Sequence, residues 1–485
     1  MKLKQIINKL NLEPFNSHIP DTEVKGFSNN SAEIENGFVF FAVPGVSSDG
    51  FKYAEDAVKK GAAAVIHTHK DKKVNNTLNL YSGNIRRDYS KFASLFYGNP
   101  SLKMNLTGIT GTNGKTSTSF LIRSIFEKNN KKCGLLGTIF YHDGGELQSS
   151  SLTTPDSKKI NETLFSMLNN NVKNAVMEVS SHSISQYRTE GLNFSTKVFT
   201  NISHDHLDYH GTFEEYLNVK ASFFENSASG TQAVVNADDN NFKDIIKNVE
   251  GKILTYGINN GDVRIKTLEI SIQGIKAQIE YKNDIIDIVS SLIGQFNLYN
   301  ICAAFAVGII CGFTYKDIAE GIKDLKSIPG RMEKIESGLP FTVLVDYAHT
   351  PDAVEKALKA VRPLTKGRII SVLGCGGDRD REKRPVMGKI GKENSDLFIM
   401  TSDNPRTENP VDIINAMVQG IDKKPGFMVL PDREPAIKTA IEHAAPGDTV
   451  MILGKGHEDY QVLGRKKIDF DDRAIAKKYM KDYVL

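Results

Sequence analysis

The sequence predicts an α/β protein whose centre is a doubly wound, mostly parallel sheet carrying a phosphate-binding loop. Three observations carry that expectation. The stretch 106–120, LTGITGTNGKTSTSF, has an apolar, β-branched lead-in (Leu106, Ile109), then Thr110-Gly111-Thr112-Asn113-Gly114-Lys115-Thr116, then Phe120, Leu121, Ile122 and Ile125 at helical spacing. Apolar strands alternate with helical segments through the central and C-terminal thirds, as parallel sheets require. The residues with chemistry to offer fall in loops after those strands, where doubly wound sheets bind ligands.

Bulk properties narrow the class. A length of 485 residues suggests about three domains at roughly 150 residues each. No run of about 20 apolar residues is present to cross a bilayer. The N-terminal MKLKQIINKLNLEP is amphipathic, with Leu3, Ile6, Ile7, Leu10 and Leu12 apolar, and lacks the continuous apolar segment of a secretory signal. Lys and Arg number 61 against 58 Asp and Glu, a formal charge of +3, so nothing argues for a nucleic-acid partner. Cys133, Cys302, Cys311 and Cys375 are scattered without metal or disulfide spacing, as in a reducing cytoplasm. The expectation is a cytoplasmic, multidomain monomer without a membrane span.

Taken in order, residues 1–98 read as a small N-terminal α/β domain: strand 37–43, helix 53–60 closed by Gly61, strand 62–66. Asn99-Pro100 punctuates the pattern as a linker. Residues 99–328 form the central domain. Strand 174–179 places Glu178 at its end, and strand 198–202 leads into Ser203-His204-Asp205-His206-Leu207-Asp208-Tyr209-His210-Gly211. A helix carries Lys220, β-rich stretches fill 233–290, and an apolar helix covers 300–311. Ile328-Pro329-Gly330-Arg331 breaks the pattern, and residues 329–485 read as a C-terminal Rossmann-like series. Its strands 342–346, 369–373, 397–401 and 450–453 each end in a polar or glycine-rich loop. Those loops carry both cations (Arg379, Arg381, Lys383, Arg384, Arg406) and acids (Asp403, Glu458), which suits a zwitterionic small molecule; ordinary loops with salt bridges are the alternative.

The phosphate loop is a shortened variant, G-T-N-G-K-T, since Ile109 stands where the usual pattern has its first glycine. Its glycines let backbone N–H groups curl round phosphate oxygens, Lys115 reaches the β/γ-phosphates, and the Thr116 hydroxyl suits Mg²⁺. An acid (Glu178) and histidines at neighbouring strand ends suit Mg²⁺ or general-base work. Without the phosphate loop, a strand-end acid paired with a neighbour is the better reading of Glu178. Lys220, taken alone, reads as a solvated helix lysine.

The ordered motifs resemble those of the Mur ligases over essentially the whole chain. They are Thr-Gly-Thr-Asn-Gly-Lys-Thr (110–116), Leu-Thr-Thr-Pro-Asp (152–156), Met-Glu-Val-Ser-Ser-His (177–182), Asp-His-Leu-Asp-Tyr-His (205–210) and Tyr-x-x-x-Lys (216–220). Then come Phe-Asn-x-x-Asn (296–300), Gly-Arg-Met-Glu (330–333), Asp-Tyr-Ala-His-Thr-Pro-Asp (346–352), Gly-Cys-Gly-Gly-Asp-Arg-Asp (374–380), Asp-Asn-Pro-Arg (403–406) and Gly-Lys-Gly-His-Glu (454–458).

The resemblance implies an ATP- and Mg²⁺-dependent amide ligase that extends UDP-MurNAc-L-Ala-D-Glu through an acyl phosphate. It implies ATP contacts at Gly111, Thr112, Asn113, Gly114, Lys115, Thr116, Ser117, Asn300, Arg331 and Asp346. It implies metal ligation by Thr116, Glu178, His206 and Lys220, the lysine as a carbamate. Lys115, Glu178, His206 and Lys220 are the expected catalytic set. Thr153, Thr154, Ser181, Gln186 and Arg188 resemble contacts to the UDP substrate, as does Ser31, although the family's Asp-Ser-Arg triplet stands here as Asn30-Ser31-Ala32.

The incoming amino acid is expected at Arg379, Asp403, Asn404, Pro405, Arg406, Gly454 and Glu458. Arg406 suits the second carboxylate of meso-diaminopimelate through a bidentate fork, whereas L-lysine would leave it unpaired. L-lysine or another diamino acid is the alternative substrate, and a folylpolyglutamate synthase-like ligase the alternative enzyme.

Overall fold

The computed structural model describes residues 2–15, 19–45, 48–225, 230–421 and 425–483. The chain divides into two compact units, Met1–Tyr256 and Gly257–Leu485.

The first unit opens on a small sheet ordered Glu13–Pro14, Leu78–Tyr81, Ala64–His67, Phe38–Phe41, Gly26–Ser28, parallel apart from its first pair. The amphipathic N-terminus forms the helix Leu3–Leu10, burying Leu3, Ile6, Ile7 and Leu10. That i, i+3, i+4, i+7 stripe meets Phe27 and Phe92 in one core. The helix Ala54–Lys59 is shorter than its sequence pattern, because 50–53 tighten into a 3-10 turn.

The larger sheet of this unit runs Lys252–Gly257, Gln232–Asn236, Thr196–Phe199, Asn105–Thr110, Asn174–Glu178, Cys133–Leu136, with Phe140–His142 and Leu147–Ser149 at its edge. The first six are parallel and the last two antiparallel. Asn105–Thr110 comes first in this sheet's sequence yet lies in its interior, so the chain winds away from it in both directions. Such a switch point opens a crevice at the strand C-termini. Thr196–Phe199 ends before the predicted 202, because the Thr200 and Asn201 side chains turn to bond the phosphate loop.

The second unit contains an antiparallel set, Val263–Ser271, Gly274–Tyr281 and Asp284–Ser290. Its helix Phe296–Ile310, apolar apart from Asn297 and Asn300 near its start, is buried on most sides. A second sheet runs Glu333–Lys334, Thr342–Asp346, Thr449–Leu453, Ile369–Leu373, Leu397–Met400, Phe427–Val429, parallel beyond its first pair. Helices Pro351–Val361, Lys383–Glu393 and Pro410–Val418 share one core with it, and Arg433–Glu442 and Asp472–Lys481 another. The predicted α/β class and its Rossmann-like C-terminal series are both present.

A buried ion pair ties this sheet to the loops that follow its strands. Arg433 Nε and Nη2 donate to the two Asp472 oxygens at 2.8 and 2.7 Å, and Nη2 also donates to the Leu453 carbonyl at 2.9 Å. Both side chains are fully buried. Removing one partner strands a buried charge, so Asp472→Ala is expected to cost about 3–5 kcal/mol in urea unfolding. A loss below ~1 kcal/mol would show the pair to be dispensable.

Candidate active site

The phosphate loop is shaped by its neighbours. Gly111 has φ 151°, and a Cβ there would lie 1.9 Å from Thr200 Oγ1. Thr200 Oγ1 and Asn201 Nδ2 donate to the Asn113 carbonyl at 2.7 and 3.0 Å, while the Asn113 N–H donates to Asn201 Oδ1 at 3.0 Å. Thr112 Oγ1 accepts from the Ser203 N–H and lies 3.0 Å from the Tyr216 hydroxyl. Gly114, at φ 87°, opens the helix Lys115–Lys128, whose first-turn N–H groups face the loop. Lys115 Nζ donates to the Gly111 and Thr112 carbonyls at 2.7 and 2.9 Å. Ser117 is buried in that first turn.

Thr116 reaches across to the next strand, donating from Oγ1 to Glu178 Oε2 at 2.9 Å. Thr138 also donates to this carboxylate, from its N–H to Oε1 and from its hydroxyl to Oε2, both at 2.9 Å. Glu178 is completely buried, and these three donors satisfy a group that burial would otherwise leave uncompensated.

Beyond it stands a cluster of rings and amines. The His182 ring lies 4.9 Å from His206 and 4.1 Å from Tyr209, and His210 Nε2 pairs with Ser181 Oγ at 2.9 Å. Lys220 and Tyr216 share a face of the helix Phe213–Ser222, with Nζ 4.6 Å over the ring. Lys220 is only 1% exposed, so the solvated-helix reading is wrong. Burial, with Lys115 adding, holds its amine well below the ordinary lysine range, against the pull of Asp205. Burial, with His182, Lys115 and Lys220 adding, also brings His206 down to about 4, Asp205 again opposing.

Among the described residues, no three His, Cys, Asp or Glu side chains gather as a metal-binding group. The donors that do meet, Thr116 Oγ1 and Glu178 Oε2, are hard oxygens of the kind Mg²⁺ takes. Lys220 supplies such an oxygen only as a carbamate.

A second group of predicted residues adjoins Glu178. Thr154 Oγ1 donates to the Glu178 carbonyl at 2.8 Å, and the Thr154 carbonyl accepts from Arg188 Nη1 at 2.7 Å. Arg188 Nη2 donates to Gln186 Oε1 at 2.7 Å, and Gln186 Nε2 donates to the Tyr209 hydroxyl at 3.3 Å. Thr153 Oγ1 lies 3.1 Å from Thr138 Oγ1. Thr154, Gln186 and Arg188 therefore form one hydrogen-bonded patch; Thr153 reaches Glu178 through Thr138, and Ser181 reaches Tyr209 only through the His210 ring. Ser31 is not joined to it; it opens a 3-10 turn, and its carbonyl accepts from Lys60 Nζ at 2.9 Å.

In the second unit, Asn300 is buried and donates to Asn297 Oδ1 at 2.8 Å. Asp346 accepts from the Met332 and Ala348 N–H groups at 2.7 and 2.8 Å, and the Arg331 guanidinium lies 4.8 Å over the adjacent Tyr347 ring. Burial pushes the Asp346 carboxyl up, opposed by Arg331 and those two N–H groups.

The four loops after the second sheet's strands meet in a polar corner. Asn404 Nδ2 and the buried Lys455 Nζ both donate to Glu458 Oε2, at 2.9 and 3.1 Å. Gln461 Nε2 donates to the Asp403 carbonyl at 2.6 Å. Pro405 leads into Arg406, whose φ of 52° is uncommon for a residue with a side chain. That backbone is clamped by the hairpin Tyr460–Leu463/Lys466–Asp469: Arg406 N–H donates to Val462 O, and Gly464 N–H to Arg406 O, at 3.0 and 2.7 Å. Arg406 Nη1 donates to the Gly377 carbonyl at 2.6 Å. Gly454 backs onto Asp403, since a Cβ there would lie 2.6 Å from Asp403 Oδ2. Arg379 stands exposed at the rim.

Glu408 braces this corner, accepting from Arg384 Nη1 and Nη2 at 3.0 and 2.8 Å and from the Asp378 N–H at 2.6 Å. Arg384 first, then that N–H, holds its carboxyl at about 2 against an ordinary 4.5. A depressed folded-state value gives stability that is present above 4.5 and lost as pH falls toward 2. The urea-midpoint gap between wild type and Glu408→Gln is therefore expected to be constant above ~pH 5 and to close below it. A gap indifferent to pH would contradict this account.

Family models match the chain in three successive blocks: "Mur ligase family, catalytic domain" over 23–94, "Mur ligase middle domain" over 109–308, and "Mur ligase, glutamate ligase domain" over 330–456. A relative from Clostridium tetani, a UDP-N-acetylmuramoyl-L-alanyl-D-glutamate--2,6-diaminopimelate ligase, is 40% identical over 492 residues, covering 99% of this chain and 100% of its own. The chain belongs to the Mur ligase family. A Solibacter usitatus ligase of the same name is also 40% identical, covering 100% of this Mur ligase and 99% of its own chain. A solved structure of a ligase of that name matches with a TM-score of 0.73 at 31% identity, covering 99% of each chain.

Several contacts in this Mur ligase had no sequence signal strong enough to single them out. Thr138, which makes two of the three hydrogen bonds described for the Glu178 carboxylate, sits in a Gly-Thr pair of no distinctive pattern. Tyr209, Lys455 and Gln461 lie inside or beside quoted motifs, yet only folding shows them against His182, Glu458 and the 403 carbonyl.

Proposed function

We propose that this protein is a cytoplasmic, ATP-dependent amide ligase that adds meso-diaminopimelate to UDP-MurNAc-L-Ala-D-Glu in peptidoglycan precursor synthesis. The γ-phosphate passes to the acceptor carboxylate as an acyl phosphate. The incoming amine attacks, and the tetrahedral species collapses to amide and phosphate, ADP having left in the first step.

One residue carries this reading. Glu178 takes Thr116 of the phosphate loop on its side chain and Thr154 of the adjoining patch on its carbonyl. Phosphoryl donor and acceptor are thus served from two ends of a single buried acid. The names of the relatives from Clostridium tetani and Solibacter usitatus support the substrate class.

Charge builds on phosphoryl and acyl oxygens, so donors must be in place beforehand. Residues 111–117 meet the phosphates, Lys115 exchanging its two carbonyls for phosphate oxygens. Asn300, Arg331 and Asp346 are further ATP contacts. Mg²⁺ would neutralise charge on the transferring group, one ion held by Thr116 and Glu178 and a second by His206, with carbamylated Lys220 as a further oxygen donor. Thr153, Thr154, Ser181, Gln186 and Arg188 orient the acceptor, and Ser31 meets its uridine end. Arg406 pairs with the distal carboxylate of diaminopimelate, Glu458 and the Gly454 carbonyl with its distal ammonium, and Arg379 with the carboxylate beside the reacting amine. Asp403, Asn404 and Pro405 hold that loop in place. The division into 1–98, 99–328 and 329–485 assigns these tasks to UDP-substrate, ATP and amino-acid domains.

The deciding assay is phosphate release with ATP and UDP-MurNAc-L-Ala-D-Glu, comparing meso-diaminopimelate with L-lysine. Release that requires diaminopimelate supports the proposal. Release with lysine alone would overturn the pocket assignment, and release with neither would overturn the ligase.

A further inference from the structure

We infer that Gly137 and Thr138 form a positioning turn that couples the nucleotide side of the site to the acceptor side. The inference rests on the ligase reading above and adds to it two residues with no role so far. Strand Cys133–Leu136 pairs with Asn174–Glu178 up to Leu136 opposite Met177, which brings the next residue, Gly137, beside Glu178. A Cβ at 137 would lie 2.4 Å from Glu178 Oε1, closer than any side chain tolerates. Only glycine lets the turn come this near, and the approach delivers Thr138. Its N–H meets Oε1 and its hydroxyl meets Oε2, both at 2.9 Å, so each carboxylate oxygen is fixed.

The same hydroxyl is 3.1 Å from Thr153 Oγ1 on the acceptor side. A hydroxyl has one proton and two acceptor sites. Thr138 Oγ1 is placed to donate to both Glu178 Oε2 and Thr153 Oγ1, so its single proton goes to one or the other. Thr116, on the phosphate loop, donates to the same Oε2. A ligand that draws on Thr116 or Glu178 changes what Oε2 accepts, and the change passes through Thr138 to the orientation of Thr153. Nucleotide and acceptor are therefore linked by a short chain of hydroxyls across one buried carboxylate. By linkage, each must change the other's affinity by the same factor.

Calorimetric titration of the full chain with UDP-MurNAc-L-Ala-D-Glu, with and without Mg²⁺ and a non-hydrolysable ATP analogue, tests this without turnover. In wild type the analogue is expected to tighten acceptor binding by roughly 10-fold, within the usual range for coupled sites. Thr138→Val keeps the shape and the backbone N–H but loses the hydroxyl, and is expected to bring that factor below about 2-fold. Thr138→Ser keeps the hydroxyl and is expected to retain it. Coupling that survives in Thr138→Val, or is lost equally in Thr138→Ser, overturns the inference. So does wild-type binding of both ligands without coupling. Failure of wild type to bind either ligand overturns the ligase reading, and this inference with it.

Discussion

Lys220→Ala is expected to lower kcat by roughly 10²–10³-fold, the scale on which loss of one preorganised charge-stabilising group slows a transfer reaction. The argument begins with burial. Lys220 is almost fully enclosed, sits against Tyr216, and feels Lys115 as a like charge. An ammonium is poorly accommodated there, which is why the amine lies well below its ordinary range. A neutral amine is a nucleophile toward CO₂. By forming the N–C bond and losing a proton to solvent, it would become an anionic carbamate with two hard oxygen donors. The site would then gain a negative group near Lys115, where two positive ones would repel. Lys220→Arg separates this from a plain need for a cation. Guanidinium does not add CO₂, so arginine is expected to be as inactive as alanine, and wild type to weaken in CO₂-depleted buffer. A carbamate resonance after ¹³C-bicarbonate labelling, absent in both variants, would complete the case. Full activity in Lys220→Arg would sink it.

Arg406→Ala is expected to lower kcat/KM for meso-diaminopimelate by about 30-fold to several-thousand-fold, the equivalent of 2–5 kcal/mol for removing one partner of a hydrogen-bonded charge pair. L-lysine, which has no distal carboxylate, is expected to change little or to improve. The structure explains why the position is demanding. Arg406 is held in a left-handed backbone by Val462 and Gly464, and Nη1 is fastened to the Gly377 carbonyl. One edge of the guanidinium is thereby fixed, which presets the direction in which the remaining donors face. Arg406→Lys keeps the charge but not the planar fork, so it is expected to recover only a small part of the loss. Steady-state kinetics with both amino acids decide the matter. Equal losses for diaminopimelate and lysine would mean that Arg406 supports the loop rather than reads the substrate.

Local order along the chain was enough for the α/β class, the phosphate loop, and the strand ends that carry Glu178, Asp346 and the 403–406 loop. Backbone turn geometry and the placement of apolar runs are short-range properties, and they survive in the linear text. Which side chains meet is a different matter, because it depends on sheet order. Asn105–Thr110 lies between Asn174–Glu178 and Thr196–Phe199, and only that arrangement puts Thr116 on Glu178 and Thr200 on Asn113. The steric demand at Gly137 is equally invisible before folding, since it arises from a carboxylate 41 positions away in the chain. Lys220 shows the limit most clearly. Its residue type points outward to water, and tertiary packing alone encloses it beside Lys115, lowers its amine, and turns an ordinary helix lysine into a candidate for CO₂ capture. Sequence order specified the parts and their local geometry; burial and cross-strand neighbours, set by long-range packing, decided their protonation and their partners.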